Sequence, residues 1–105
     1  MESIDTQAQF ESLWFSTDTA TRWIVYLTAA WCGPCKRLDL AAIQEAAAEK
    51  GIKIYKCDYV VNEYTPGYCS VRAFPTFVCM KPKAIMSTLK SAETAEVVRW
   101  IQSQW

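Results

Sequence analysis

At 105 residues, with 51% of them hydrophobic and 21% charged, the chain has the size and composition of one soluble globular domain, residues 1–105, that buries a core without staples. Eleven basic and eleven acidic residues cancel without a long block of either sign, so no electrostatic footprint for nucleic acid or an acidic membrane is present. Histidine is absent, which excludes His-based triads, HExxH zinc sites and Cys-His pairs and leaves catalysis to Cys, Lys, Asp, Glu or Tyr.

The opening MESIDTQAQF has neither the basic start nor the apolar stretch of a signal peptide, and nowhere do eighteen apolar residues run together. A cytoplasmic protein is therefore expected. Asp5 or Thr6 is placed to cap a first helix over about 6–16, with Gln9 in capping-box position and Phe10, Leu13 and Trp14 as its apolar stripe. Residues 23–29, WIVYLTA, form an unbroken β-favouring run that predicts a strand buried on both faces. From Pro34 the pattern turns helical through Leu38, Ile43, Ala46 and Ala47 up to Gly51, a left-handed cap. Residues 52–58, IKIYKCD, read as a second strand, and strand, crossover helix and strand make a right-handed parallel unit.

The stretch after it, YVVNEYTPGYCSVRAF, reads as a short helix and loops. Residues 75–80 and 84–89 form two hairpin strands around Lys81-Pro82-Lys83, with Pro82 at the second position of a type I turn. Ser91 caps a last helix that turns Val97, Val98, Ile101 and Trp105 inward. The order predicts an α/β sandwich with a mixed sheet. Trp14, Trp23, Trp100 and Trp105 read as core and rim.

The chemistry concentrates at Cys32-Gly33-Pro34-Cys35, between the first long strand and the helix after it. Two thiols at this spacing bind a metal, close a small disulfide or stay inert. Zinc needs a second close pair or histidines, and Cys57, Cys69 and Cys79 supply neither, which favours redox chemistry. Cys32 falls at a helix mouth, where free N–H groups favour an anion. A thiol pKa lowered from about 8.5 to about 7 raises the thiolate share at neutral pH from roughly 3% to roughly half, and the thiolate is what attacks disulfides. Cys35, one turn on and facing inward, is placed to displace whatever Cys32 captures. Gly33 lets a partner backbone approach, and Pro34 suits a first helical turn. Lys36 adds positive potential nearby. Cys57 and Cys79, inside predicted strands, read as buried small hydrophobes.

The segment TAAWCGPCKRL resembles the active site of the thioredoxin family, whose signature is WCGPCK, and Phe74-Pro75-Thr76-Phe77 resembles its cis-proline segment. The resemblance runs from end to end and implies a three-layer α/β/α sandwich around a central mixed sheet. It further implies reduction of disulfide-containing protein substrates through Cys32 and Cys35, with electrons from a thioredoxin-reductase-type donor. No cofactor beyond the Cys32–Cys35 disulfide and no metal is implied. By the same resemblance Pro75 is a cis proline that offers backbone hydrogen bonds to an extended substrate, and Trp31 belongs to the docking surface. Cys69, where some animal cytosolic members also carry a cysteine, becomes a candidate regulatory thiol, exposed and able to link two copies of an otherwise monomeric protein.

Four departures from the family pattern stand out. Tyr26 occupies the place of a buried aspartate, which leaves Lys56 without its customary partner or turned towards Asp58. Asp39, expected on the active-site face of the helix that follows Cys35, is a candidate substitute base. Leu40 replaces a helix-kinking proline, which predicts a straighter helix. The glycines usual in the last hairpin and before the final helix are absent, with Lys90 at the second place. Two other readings remain open beside the reductase: a specialised oxidant or isomerase, and an interaction module of thioredoxin fold with weak reductase activity.

Overall fold

The computed structural model describes residues 1–18 and 20–104. The elements are β1 (Glu2–Ser3), α1 (Gln7–Trp14), β2 (Trp23–Thr28), a 3-10 turn (Pro34–Arg37), α2 (Leu40–Glu49), β3 (Lys53–Asp58), α3 (Tyr64–Tyr68), β4 (Thr76–Lys81), β5 (Ala84–Lys90) and α4 (Thr94–Gln102). Five strands form one sheet in the order β1-β3-β2-β4-β5. The first three run parallel, and β4 and β5 continue the sheet antiparallel. This is the mixed α/β architecture that the element order predicts, with one strand, β1, that the sequence pattern did not announce.

β2 is central because every one of its six residues is buried. Successive side chains of a strand point to opposite faces, so Ile24 and Tyr26 join one core while Trp23, Val25 and Leu27 join the other. The first core holds Ile43, Ala46 and Ala47 of α2, Val97 and Ile101 of α4, and Phe77 and Cys79 of β4. The second holds Ile4, Phe10 and Trp14 beside Cys57, Val78 and Met80. At about 1.5–3 kcal/mol for each large apolar side chain fully buried, these two layers hold rigid the sheet end that carries the cysteines.

Local signals act at several termini. Thr6 Oγ1 accepts the Gln9 N–H at 3.1 Å while Gln9 Oε1 accepts the Thr6 N–H at 3.0 Å, a complete capping box. After α2, Gly51 takes φ +69°, and the Gly51 and Ile52 N–H groups donate to Ala48 O and Ala47 O, which closes the helix as a Schellman motif.

The structure corrects several expectations. The helix expected from Pro34 to Gly51 is two pieces, because Leu38 is extended and Asp39 starts α2 afresh, its carboxylate accepting the Ala42 N–H at 3.2 Å. An aspartate favours a cap over a helix interior, so the break arises at Asp39 without a proline, and the helix is not straighter for having Leu40. Asp39 therefore lies at an N-cap rather than on a helix face shared with Cys35. In the hairpin, Lys83 has φ +64°, the mark of a type II turn rather than type I, and its N–H donates to Trp14 O at 3.0 Å. The last helix is capped at Glu93 without a side-chain bond, and Ser91 Oγ instead accepts the Glu93 N–H in a turn. Trp105, expected to face inward, lies outside the described residues.

Candidate active site

At the end of β2 the chain turns back on itself, with the Cys32 N–H donating to Ala29 O at 2.9 Å. The 3-10 turn then begins at Pro34, whose missing N–H costs nothing in a first helical position. Cys32 and Cys35 are joined as a disulfide with their Cα atoms 5.4 Å apart. They are 3% and 7% exposed and pack with Ala29 in a small cluster against Tyr59 and Phe74. The Cys35 N–H donates to Cys32 Sγ at 3.2 Å. A donor aimed at this sulfur favours negative charge on it once the bond is reduced.

The Phe74–Pro75 peptide bond is cis, as the resemblance implies. Thr76 Oγ1 donates to Ala73 O at 2.7 Å and ties down the segment that carries it. Phe74 meets Trp31 edge to face at 5.7 Å between centroids and Tyr59 at 5.4 Å. Trp31 is 65% exposed, which a purely packing role does not require. These three rings, with Glu63, Val71 and Arg72, line a groove of about 410 Å³. Tyr59 is a member that sequence reasoning missed, since nothing in YVVNEY marks one tyrosine over the other. Tyr64 and Tyr68 lie apart from this groove and join Phe10 and Trp14 in an aromatic cluster.

A second cavity, of about 390 Å³, shares none of the groove's residues. Both cysteines, Tyr26, Lys36, Lys56 and Asp58 line it, along with Leu38 and Leu40. Tyr26 stacks on Phe77 with centroids 5.0 Å apart, and burial raises its phenol pKa against a smaller lowering by Thr28. The structure thus brings Tyr26 and Lys56 to the cysteines together with Asp58. Asp39 is exposed, caps α2, donates its N–H to Thr94 Oγ1 at 2.9 Å, and does not line the cavity.

The other thiols are of a different kind. Cys57 and Cys79 are fully buried, and desolvation raises both, Cys57 to about 12. Cys69 is half-buried rather than exposed, and desolvation pushes it up to about 11. Among the described residues no group of three or more His, Cys, Asp or Glu side chains is placed to hold a metal ion, and no helix is long and apolar enough to cross a membrane.

Residues 3–103 match the family model described as Thioredoxin. The chain belongs to the thioredoxin family. It is similar to the thioredoxin of Haemophilus influenzae, 32% identical over 83 residues that cover 77% of this chain and 75% of the relative. The thioredoxin of Geodia cydonium is 32% identical over 73 residues, 69% of each chain. Among solved structures, Fasciola hepatica thioredoxin superposes with a TM-score of 0.82 at 27% identity, covering 97% of both chains. Thioredoxins are thiol-disulfide oxidoreductases, and this chain carries their redox pair as Cys32 and Cys35, so it is one too.

Proposed function

We propose that the protein works as a general reductant of protein disulfides, with Cys32 as nucleophile and Cys35 as resolving thiol. The Cys32 thiolate attacks one sulfur of a substrate disulfide and expels the other as a thiolate, leaving a mixed disulfide. Cys35 then attacks Cys32 Sγ, releases the second substrate thiolate and closes the Cys32–Cys35 disulfide. Two electrons pass to the substrate, and a separate reductase of the thioredoxin-reductase type returns them. The observation that carries this assignment of roles is the Cys35 N–H aimed at Cys32 Sγ, which stabilises charge on one sulfur of the pair.

Trp31, Tyr59 and Phe74 make the apolar face on which the substrate rests, and the Pro75 segment supplies its backbone contacts. Gly33 leaves that approach open. A cytoplasmic monomer suits a chain with three unpaired cysteines. Reduction of insulin disulfides tests the proposal. Wild type is expected to turn over, and Cys32→Ser and Cys35→Ser are expected to lose at least about 10³ of the rate, as removal of an activated nucleophile does. Cys35→Ser should also accumulate mixed disulfides with its substrates. Turnover retained by Cys32→Ser would overturn the reading.

A further inference from the structure

The resolving thiol has to lose a proton in order to act, and its surroundings decide where that proton goes. Cys35 is 7% exposed, and burial of a thiol opposes its ionisation. It faces the second cavity, whose other titratable or charged lining groups are Tyr26 from β2, Lys36 from the 3-10 turn, Lys56 and Asp58 from β3, and Cys32 itself. The two ammonium groups have no lone pair to offer. Tyr26 is an acid whose phenol burial pushes further up, so it keeps its own proton. Asp58 is the one carboxylate among these residues.

The fold places Asp58 there. It is the last residue of β3 and pairs in register with Thr28, the last residue of β2, just before the chain turns towards the cysteines. Its Oδ1 accepts the Val60 N–H at 2.9 Å, which holds the side chain while leaving most of the four or so lone-pair sites of a carboxylate available. A cavity of about 390 Å³ with polar walls accommodates bridging water between carboxylate and thiol. Asp39, the carboxylate nearer to Cys35 in sequence, is exposed and committed to capping α2.

We propose that Asp58 is the proton acceptor for Cys35 in the resolving step. As Cys35 Sγ bonds to Cys32 Sγ, the bond from Cys32 to the substrate breaks and its electron pair leaves on the substrate sulfur. The Cys35 proton passes through water to the Asp58 carboxylate and from there to solvent. Lys36 and Lys56 place positive charge around the same space, which favours the forming thiolate.

The inference rests on the exchange cycle proposed above, and one kinetic experiment separates the two. Reduced protein mixed with one equivalent of dithionitrobenzoate releases one aryl thiolate when Cys32 attacks and a second when Cys35 resolves. Asp58→Asn, which keeps an oxygen for the Val60 N–H, is expected to leave the first phase unchanged and slow the second about 10²-fold. It should also abolish the fall of the second phase towards acid pH, and Asp58→Glu should restore both rate and pH profile. A second phase in Asp58→Asn that matches wild type, or equal slowing of both phases, overturns the role of Asp58 and leaves the cycle standing. Absence of a first phase in wild type overturns the cycle and this inference with it. Should Asp58→Asn not fold, carboxyl carbon resonances of wild type decide: the Asp58 titration is expected to differ between dithiol and disulfide forms, and identical titrations overturn the proposal.

Discussion

Cys32 and Cys57 are buried to almost the same degree, 3% and 0% exposed, and yet their sulfurs face opposite partners. Cys32 Sγ accepts the Cys35 N–H, whereas the Cys57 thiol points at the Asn62 carbonyl oxygen, 3.7 Å away. A donor favours a thiolate and an acceptor favours a thiol. Cys57 is held near the end of β3 among apolar neighbours whose burial pushes its pKa to about 12, while Cys32 stands at a turn that aims the Cys35 N–H at its sulfur. Burial alone therefore does not decide whether a cysteine reacts. The hydrogen-bond partner offered to its sulfur does.

The largest effect that sharpens the contrast is on stability at alkaline pH. Burial lifts the Cys57 thiol from 9.0 in the unfolded chain to about 12 in the folded one, so between these limits the unfolded state binds fewer protons. Stability is then fully present below about pH 9 and falls as pH rises towards 12, by up to about 1.4 kcal/mol per pH unit for this thiol. Cys69 and Cys79 shift in the same direction and add to the slope. Denaturant unfolding from pH 8 to 11 measures it, and Cys57→Ala is expected to flatten the curve. A smaller effect concerns Cys69. With a pKa of about 11, its thiolate share at neutral pH is on the order of 10⁻⁴, so iodoacetamide should label Cys32 of the reduced native protein long before Cys69. Equal labelling rates would break the contrast and return Cys69 to the exposed, dimer-forming role that sequence position suggests.

What could be read from the sequence was local. WCGPC fixes a redox pair because strand end, turn proline and cysteine spacing lie within a few residues, and the apolar run at 23–28 declares its double burial directly. Thr6 and Gly51 announce their caps by residue type. What stayed hidden depends on competition or on distant pairing. Asp39 reads as helical in a periodic pattern, and only the Ala42 and Thr94 bonds reveal that capping wins. β1 is two residues long and exists through its pairing with Tyr55 and Lys56, far along the chain. Asp58 comes to line the cavity of the cysteines through the parallel register of β3 with β2, which no short motif encodes. Lys83 adopts a left-handed φ that residue type argues against.

The most direct measurement is the titration of Cys32 in the reduced protein, followed by thiolate absorbance with Cys32→Ser subtracted. The expected midpoint lies well below the ordinary thiol value of about 8.5, with Cys57 still protonated across the same range. A midpoint at or above about 8.5 would contradict the claim that the Cys35 N–H and the turn around it hold Cys32 ready as a nucleophile.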